Sequence, residues 1–143
     1  MYGKWLLILS NILVGGTGVV YGVMRYLLTT SDPYAIANHP WQPHFQHLHI
    51  LTAPLLIFAL GIFWMSHIST NLRSSGAKGR LSGITMLLTV VPMVMSGYFI
   101  QTAISEAWRL VWIWVHGLAS LAWLVHFCVH SVRQSRISHK ELV

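Results

Sequence analysis

An all-α, four-helix transmembrane bundle running up-down-up-down is the fold class this sequence predicts, and three observations predict it. Of 143 residues, 55% are hydrophobic and only 8% charged, with mean hydropathy +0.59; soluble domains carry roughly 25% charged residues. Four stretches without formal charge (Trp5 to Met24, the run ending near Ser69, Leu81 to Ser105 and Leu110 to Val132) nearly exhaust the chain. Each is close to the roughly 20 residues a spanning helix needs. The basic residues then sort by side: Lys4, Arg73, Lys78, Arg80, Arg133, Arg136 and Lys140 share one face of the membrane, Arg25 and Arg109 the other. By the positive-inside rule both termini are cytoplasmic. The +6 formal charge and pI near 10.0 therefore record membrane insertion and argue against a nucleic-acid partner. A single integral domain over residues 1–143 is expected.

Helix one is expected over about residues 5–28. It follows a lone Lys4 but continues through Gly15, Gly18 and Gly22 with no Ala-x-Ala-like cleavage site, so it reads as a retained span and not a signal peptide. Gly18 and Gly22 form a G-x-x-x-G, which permits close helix contact in lipid or offers a flat surface to a porphyrin. Residues 29–43, with Pro33, Pro40, Pro43, His39 and Trp41, form the outer link, a place for a docking partner or a quinone, or a solvated connection with an interfacial Trp.

Helix two, about 44–69, is rich in histidine. His49 and His67 are 18 residues apart, about five whole turns, and so face the same way about 27 Å apart in depth. His47 points some 200° from His67 and His44 about 140° away, which favours His49 as the inward-facing outer histidine and makes His47 its reserve. A basic cytoplasmic loop leads to helix three, about 81–103, where Gly83 and Gly97 repeat a stride of 14 and Pro92 predicts a kink. Helix four, about 108–132, has 23 uncharged residues between Arg109 and Arg133, roughly 35 Å of rise. It carries His116, His126 and His130.

His116 and His130, 14 residues apart, fall about 40° short of four turns and stand about 21 Å apart. An unpartnered imidazole in hydrocarbon costs roughly 2–7 kcal/mol, so each needs a bonding partner. With helices two and four running in the same direction, His49 comes level with His116 and His67 with His130, one pair per leaflet. Pairing His67 with His126 widens the mismatch in depth, so His126 is the reserve ligand. Two imidazoles on the axial positions of a haem iron leave no site for substrate and suit electron exchange. The single cysteine, Cys128, excludes C-x-x-C-H attachment, so haem here is of the b type, two in number.

The run WVHGLASLAWLVHFCVH resembles the last helix of four-helix dihaem b-type cytochromes, the superfamily of bacterial cytochrome b561 and of the cytochrome b subunits of formate dehydrogenase and nickel–iron hydrogenase. HLHILTAPLLIFALGIFWMSH and SGYFIQTA are similar to segments of small bacterial membrane cytochromes b that accompany periplasmic multihaem c-type cytochromes. The resemblance implies an inner-membrane subunit passing electrons between the quinone pool and a partner redox subunit, not catalytic alone. It maps axial ligation onto His116 and His130. Several members carry an axial histidine on helix one, which here has none, so His67 has to replace it. The alternatives are a non-haem membrane anchor or a metal-binding or transport subunit, with His44, His47, His49 and His116 as donors. Transport lacks the usual mid-helix carboxylate, and no inverted repeat is visible.

Overall fold

The computed structural model describes residues 2–64 and 80–140, with side chains over 3–64 and 84–133. All regular structure among them is helical: α1 Tyr2–Tyr26, α2 Gln42–Phe63, α3 Arg80–Thr102 and α4 Glu106–Lys140. All four are long and apolar enough to cross a membrane. This is a multi-pass membrane protein of four spans. The chain divides into two compact units, residues 1–73 and 74–143, and each holds one helical hairpin.

In the first hairpin α1 and α2 run antiparallel. Gly3 near the start of α1 neighbours Ile62 and Phe63, and Asn38, just before α2, reaches Arg25 at the other end. The inward stripe of α1 is Leu7, Ser10, Asn11, Val14 and Thr17, and it meets an α2 face that includes Thr52, Leu56 and Ala59. Such a stripe at steps of three and four is one helix face. Its polar members bond their own helix. Ser10 and Asn11 donate to the Leu7 carbonyl at 3.0 and 2.9 Å, and Thr52 donates to Leu48 at 2.7 Å. Hydroxyls and amides satisfied in this way bring no unmet polar group into lipid. The large apolar side chains point the opposite way: Leu9, Ile12, Leu51 and Phe58 are all more than half exposed. In water that arrangement would be costly, whereas hydrocarbon is its natural solvent.

The link over residues 27–41 is tied down by local bonds. The Asp32 carboxylate accepts the Tyr34 N–H at 2.9 Å, and the Asn38 side chain donates to the Arg25 carbonyl at 2.9 Å, satisfying an orphan acceptor at the end of α1. Gln42 opens α2 and is 4% exposed, and its Oε1 accepts the Asn38 N–H at 3.0 Å. Pro43 sits in the first turn of α2, where its missing N–H has no helical partner to lose.

The second hairpin, α3 with α4, is antiparallel by the same logic. Met93 neighbours His116 while Phe99, further along α3, packs on Trp112 with ring centroids 4.6 Å apart. Residues 103–105 form its whole link. Both internal prolines, Pro54 in α2 and Pro92 in α3, lie within unbroken helices.

The helix bounds differ from those expected in two instructive places. The fourth helix continues to Lys140, past the expected end near 132, because Arg133 marks where hydrocarbon stops and not where backbone hydrogen bonding stops. The second begins at Gln42 rather than near 44, since Pro43 starts a helix as readily as it ends one. Residues 65–69 of the expected second span, with His67, lie outside the described residues.

Substituting Gln42→Leu strips the Asn38 N–H of its acceptor. Thermal unfolding of the purified protein in detergent is expected to show a loss of about 1–2 kcal/mol.

Candidate functional site

Each hairpin builds one imidazole site. His49, half-buried on α2, reaches across to α1, where its Nδ1 lies 2.9 Å from the Val14 carbonyl oxygen. Thr17 Oγ1 flanks the same nitrogen at 3.5 Å. The ring rests on Gly18. A Cβ at that position would stand 2.8 Å from His49 Cε1 and 3.0 Å from Nδ1, a distance no real side chain tolerates. Val14, Thr17 and Gly18 are steps of three and four on one helix face, so a single turn of α1 supplies acceptor, hydroxyl and seat.

His116 on α4 repeats the arrangement against α3. Its Nδ1 lies 2.9 Å from the Met93 carbonyl and 3.3 Å from Ser96 Oγ, and a Cβ on Gly97 would meet His116 Cε1 at 3.3 Å. Ser96 is fully buried.

The partners fix the chemistry of both rings. A backbone carbonyl only accepts, so Nδ1 carries the hydrogen, and in the neutral imidazole the lone pair belongs to Nε2. That is the tautomer of a metal-ligating histidine whose second nitrogen is tethered to backbone. The hydroxyls strengthen the tether. Thr17 donates its own proton to Leu13 at 2.7 Å or Val14 at 3.1 Å, and Ser96 donates to Pro92 at 2.5 Å or Met93 at 3.0 Å. Each hydroxyl oxygen therefore turns a lone pair toward the imidazole N–H. Axial ligation of a haem iron through Nε2 fits this donor set.

The other histidines are placed differently. His44 and His47 are exposed, and His44 sits edge-on to Trp41 at 6.2 Å between ring centroids. His39 Nδ1 accepts the Trp41 N–H at 3.1 Å. His126 is half-buried with Nδ1 2.7 Å from the Ala122 carbonyl of its own helix, and His130 is half-buried on α4. Among the described residues no three His, Cys, Asp or Glu side chains gather into a metal-binding group.

The glycine motif has a more specific role than helix contact alone. At Gly18 the neighbour is the His49 ring, while Gly22 has nothing within 4 Å of a Cβ, so the two do not act as a pair. At Gly97 likewise the neighbour is an imidazole, that of His116. The residues not singled out from sequence were the acceptors and hydroxyls: Val14, Thr17, Met93 and Ser96. Their legible signal was the dipeptide Thr17-Gly18 and its counterpart Ser96-Gly97.

Set against known protein families, curated proteins and solved structures, the chain matches none of them.

Replacing Gly18 with Ala is expected to push His49 off its carbonyl and to destabilise the protein by about 1–3 kcal/mol, the usual cost of overpacking. Gly97→Ala, with 0.5 Å more room at the imidazole Cε1 (3.3 against 2.8 Å), should cost less. Melting temperatures of the two variants in detergent check the order; equal effects contradict it.

Proposed function

We propose that this protein is a b-type cytochrome subunit that carries electrons across a membrane, with His49 and His116 as the axial ligands of one haem and His67 and His130 of a second. The observation that carries the reading is the tethering of both described outer candidates through Nδ1 to a backbone carbonyl. This is how axial imidazoles are oriented and made more basic. Reversible one-electron exchange at closed, six-coordinate iron is the chemistry haem supplies when bound. The chain's own part is to fix ring orientation, hold the proton on Nδ1 and surround the site with apolar side chains, which together set ligand strength and local dielectric.

The remainder of the proposal follows from charge and resemblance. The distribution of basic residues orients both termini toward the cytoplasm, and the resemblance implies a bacterial inner membrane. Electrons then pass between the quinone pool and a partner redox subunit, a periplasmic multihaem c-type cytochrome or an oxidoreductase. In this reading His39, Trp41 and His44, at or just before the head of α2, would meet a quinone headgroup or that partner.

A second reading, a non-haem anchor subunit, draws on the same contacts: an imidazole bonded to the next helix's carbonyl also locks a hairpin. The two readings diverge in the visible spectrum. A reduced-minus-oxidised spectrum of the purified protein is expected to show a sharp b-type band, with His49→Ala and His116→Ala each removing the same component. A featureless spectrum at full protein recovery would leave the anchor reading standing, and depletion of two different components would break the proposed pairing.

A further inference from the structure

The two hairpins match each other residue for residue at their imidazole sites, and the match extends beyond those sites. Adding 79 to a position in α1 gives its counterpart in α3. Leu7, Ser10, Leu13, Val14, Thr17 and Gly18 become Met86, Thr89, Pro92, Met93, Ser96 and Gly97. The side-chain bonds follow the same shift. Ser10 donates to the Leu7 carbonyl at 3.0 Å and Thr89 to the Met86 carbonyl at 2.9 Å; Thr17 turns to Leu13 and Val14, Ser96 to Pro92 and Met93. From α2 to α4 the shift is 67. It carries His49 to His116 and the buried pair Thr52 and Leu56 to the buried pair Ala119 and Trp123. The 12-residue difference between the two shifts equals the difference in length between the links at 27–41 and 103–105. One hairpin design thus occurs twice in the same order along the chain.

We infer that Thr17 and Ser96 are equivalent positioning residues, one in each copy of a duplicated imidazole cradle, whose hydroxyls hold the Nδ1 hydrogen of His49 and His116 on the carbonyls of Val14 and Met93. The inference deepens the haem reading and rests on it for the ligand that the two Nε2 atoms serve. Recurrence of an acceptor, a hydroxyl and a glycine at positions i, i+3 and i+4 in both hairpins is what a shared geometric task requires. Ser10 and Thr89 also bond their own helix, but only Thr17 and Ser96 place their hydroxyl beside an imidazole Nδ1, at 3.5 and 3.3 Å. The repeat also separates the candidate histidines into two kinds. His130 answers to Phe63 and not to His67, so the outer pair is matched by the duplication and the inner pair is not.

The test uses the full-length protein purified in detergent as wild type, Thr17→Val, Ser96→Ala and the exchange double variant Thr17→Ser with Ser96→Thr. Redox titration followed in the visible spectrum is expected to show both hydroxyl deletions shifting one and the same haem toward the reduced state. The shift in its reduction equilibrium should be roughly 2- to 10-fold, the net worth of one hydrogen bond. Haem retention should fall about tenfold, as for other groups that orient a metal ligand. The exchange variant should titrate as wild type. A role in packing alone would lower occupancy and leave the potential of the remaining haem unmoved, and that result overturns the inference, as does a shift caused by only one of the deletions or shifts on two different haems. Should the wild-type chain bind no haem, the electron-carrier reading fails by itself. Nitrogen-15 spectra of its histidines then decide the positioning role: loss of the Nδ1–H tautomer at His49 in Thr17→Val and at His116 in Ser96→Ala supports it, and unchanged tautomers overturn it.

Discussion

An imidazole N–H given by one helix to a main-chain oxygen of its antiparallel neighbour, across a glycine, is the contact on which each hairpin depends. In lipid there is no water to satisfy a ring nitrogen, so a histidine in a span needs a dedicated acceptor. Carboxylate acceptors are scarce here, with three in the whole sequence. The carbonyl fills that role because it keeps a second lone pair after accepting its helical N–H. Reaching it brings the ring onto the backbone at a glycine, where a Cβ would stand 2.8 Å from the imidazole at Gly18 and 3.3 Å from it at Gly97. Seat and acceptor are thereby tied to one another at a separation of one helical turn.

That coupling explains which parts of the architecture were legible in the sequence. Four spans, their approximate bounds and their all-helical character followed from charge-free length alone, because burial in hydrocarbon leaves few alternatives. His49 is half-buried where His44 and His47 are exposed, but the face it was expected to share with His67 lies outside the described residues. The end of α4 did not follow from the sequence, since charge marks the edge of the membrane and says nothing of where a helix frays. Nor did the cradles. A carbonyl acceptor has no letter of its own in a sequence, and Val14 and Met93 serve through their backbone, so any apolar residue would have looked the same. Thr17 and Ser96 were visible as hydroxyls beside glycines, but mid-helix hydroxyls usually do no more than bond their own backbone, which they also do here.

The internal duplication was hidden for a related reason. A search for a repeat at fixed period fails when one link is 12 residues longer than the other, and few of the paired positions are identical. Gly18 with Gly97 and His49 with His116 are, while Thr17 with Ser96 agree only in chemistry. What the two copies share is the pattern of hydrogen bonds, and that is seen only once the helices are paired. The same comparison bears on function. Each of the two hairpins holds its own imidazole on its own carbonyl, with a hydroxyl and a glycine at matched positions.

The account stands on His49 and His116 presenting Nε2 to iron while Nδ1 stays on the main chain. X-ray diffraction at the iron absorption edge, from crystals grown in lipid, measures this most directly. The prediction is an anomalous peak within bonding distance of Nε2 of both residues, with the Nδ1 contacts to Val14 and Met93 preserved. Absence of iron at these two nitrogens, with both rings packed only against protein or lipid, would contradict it.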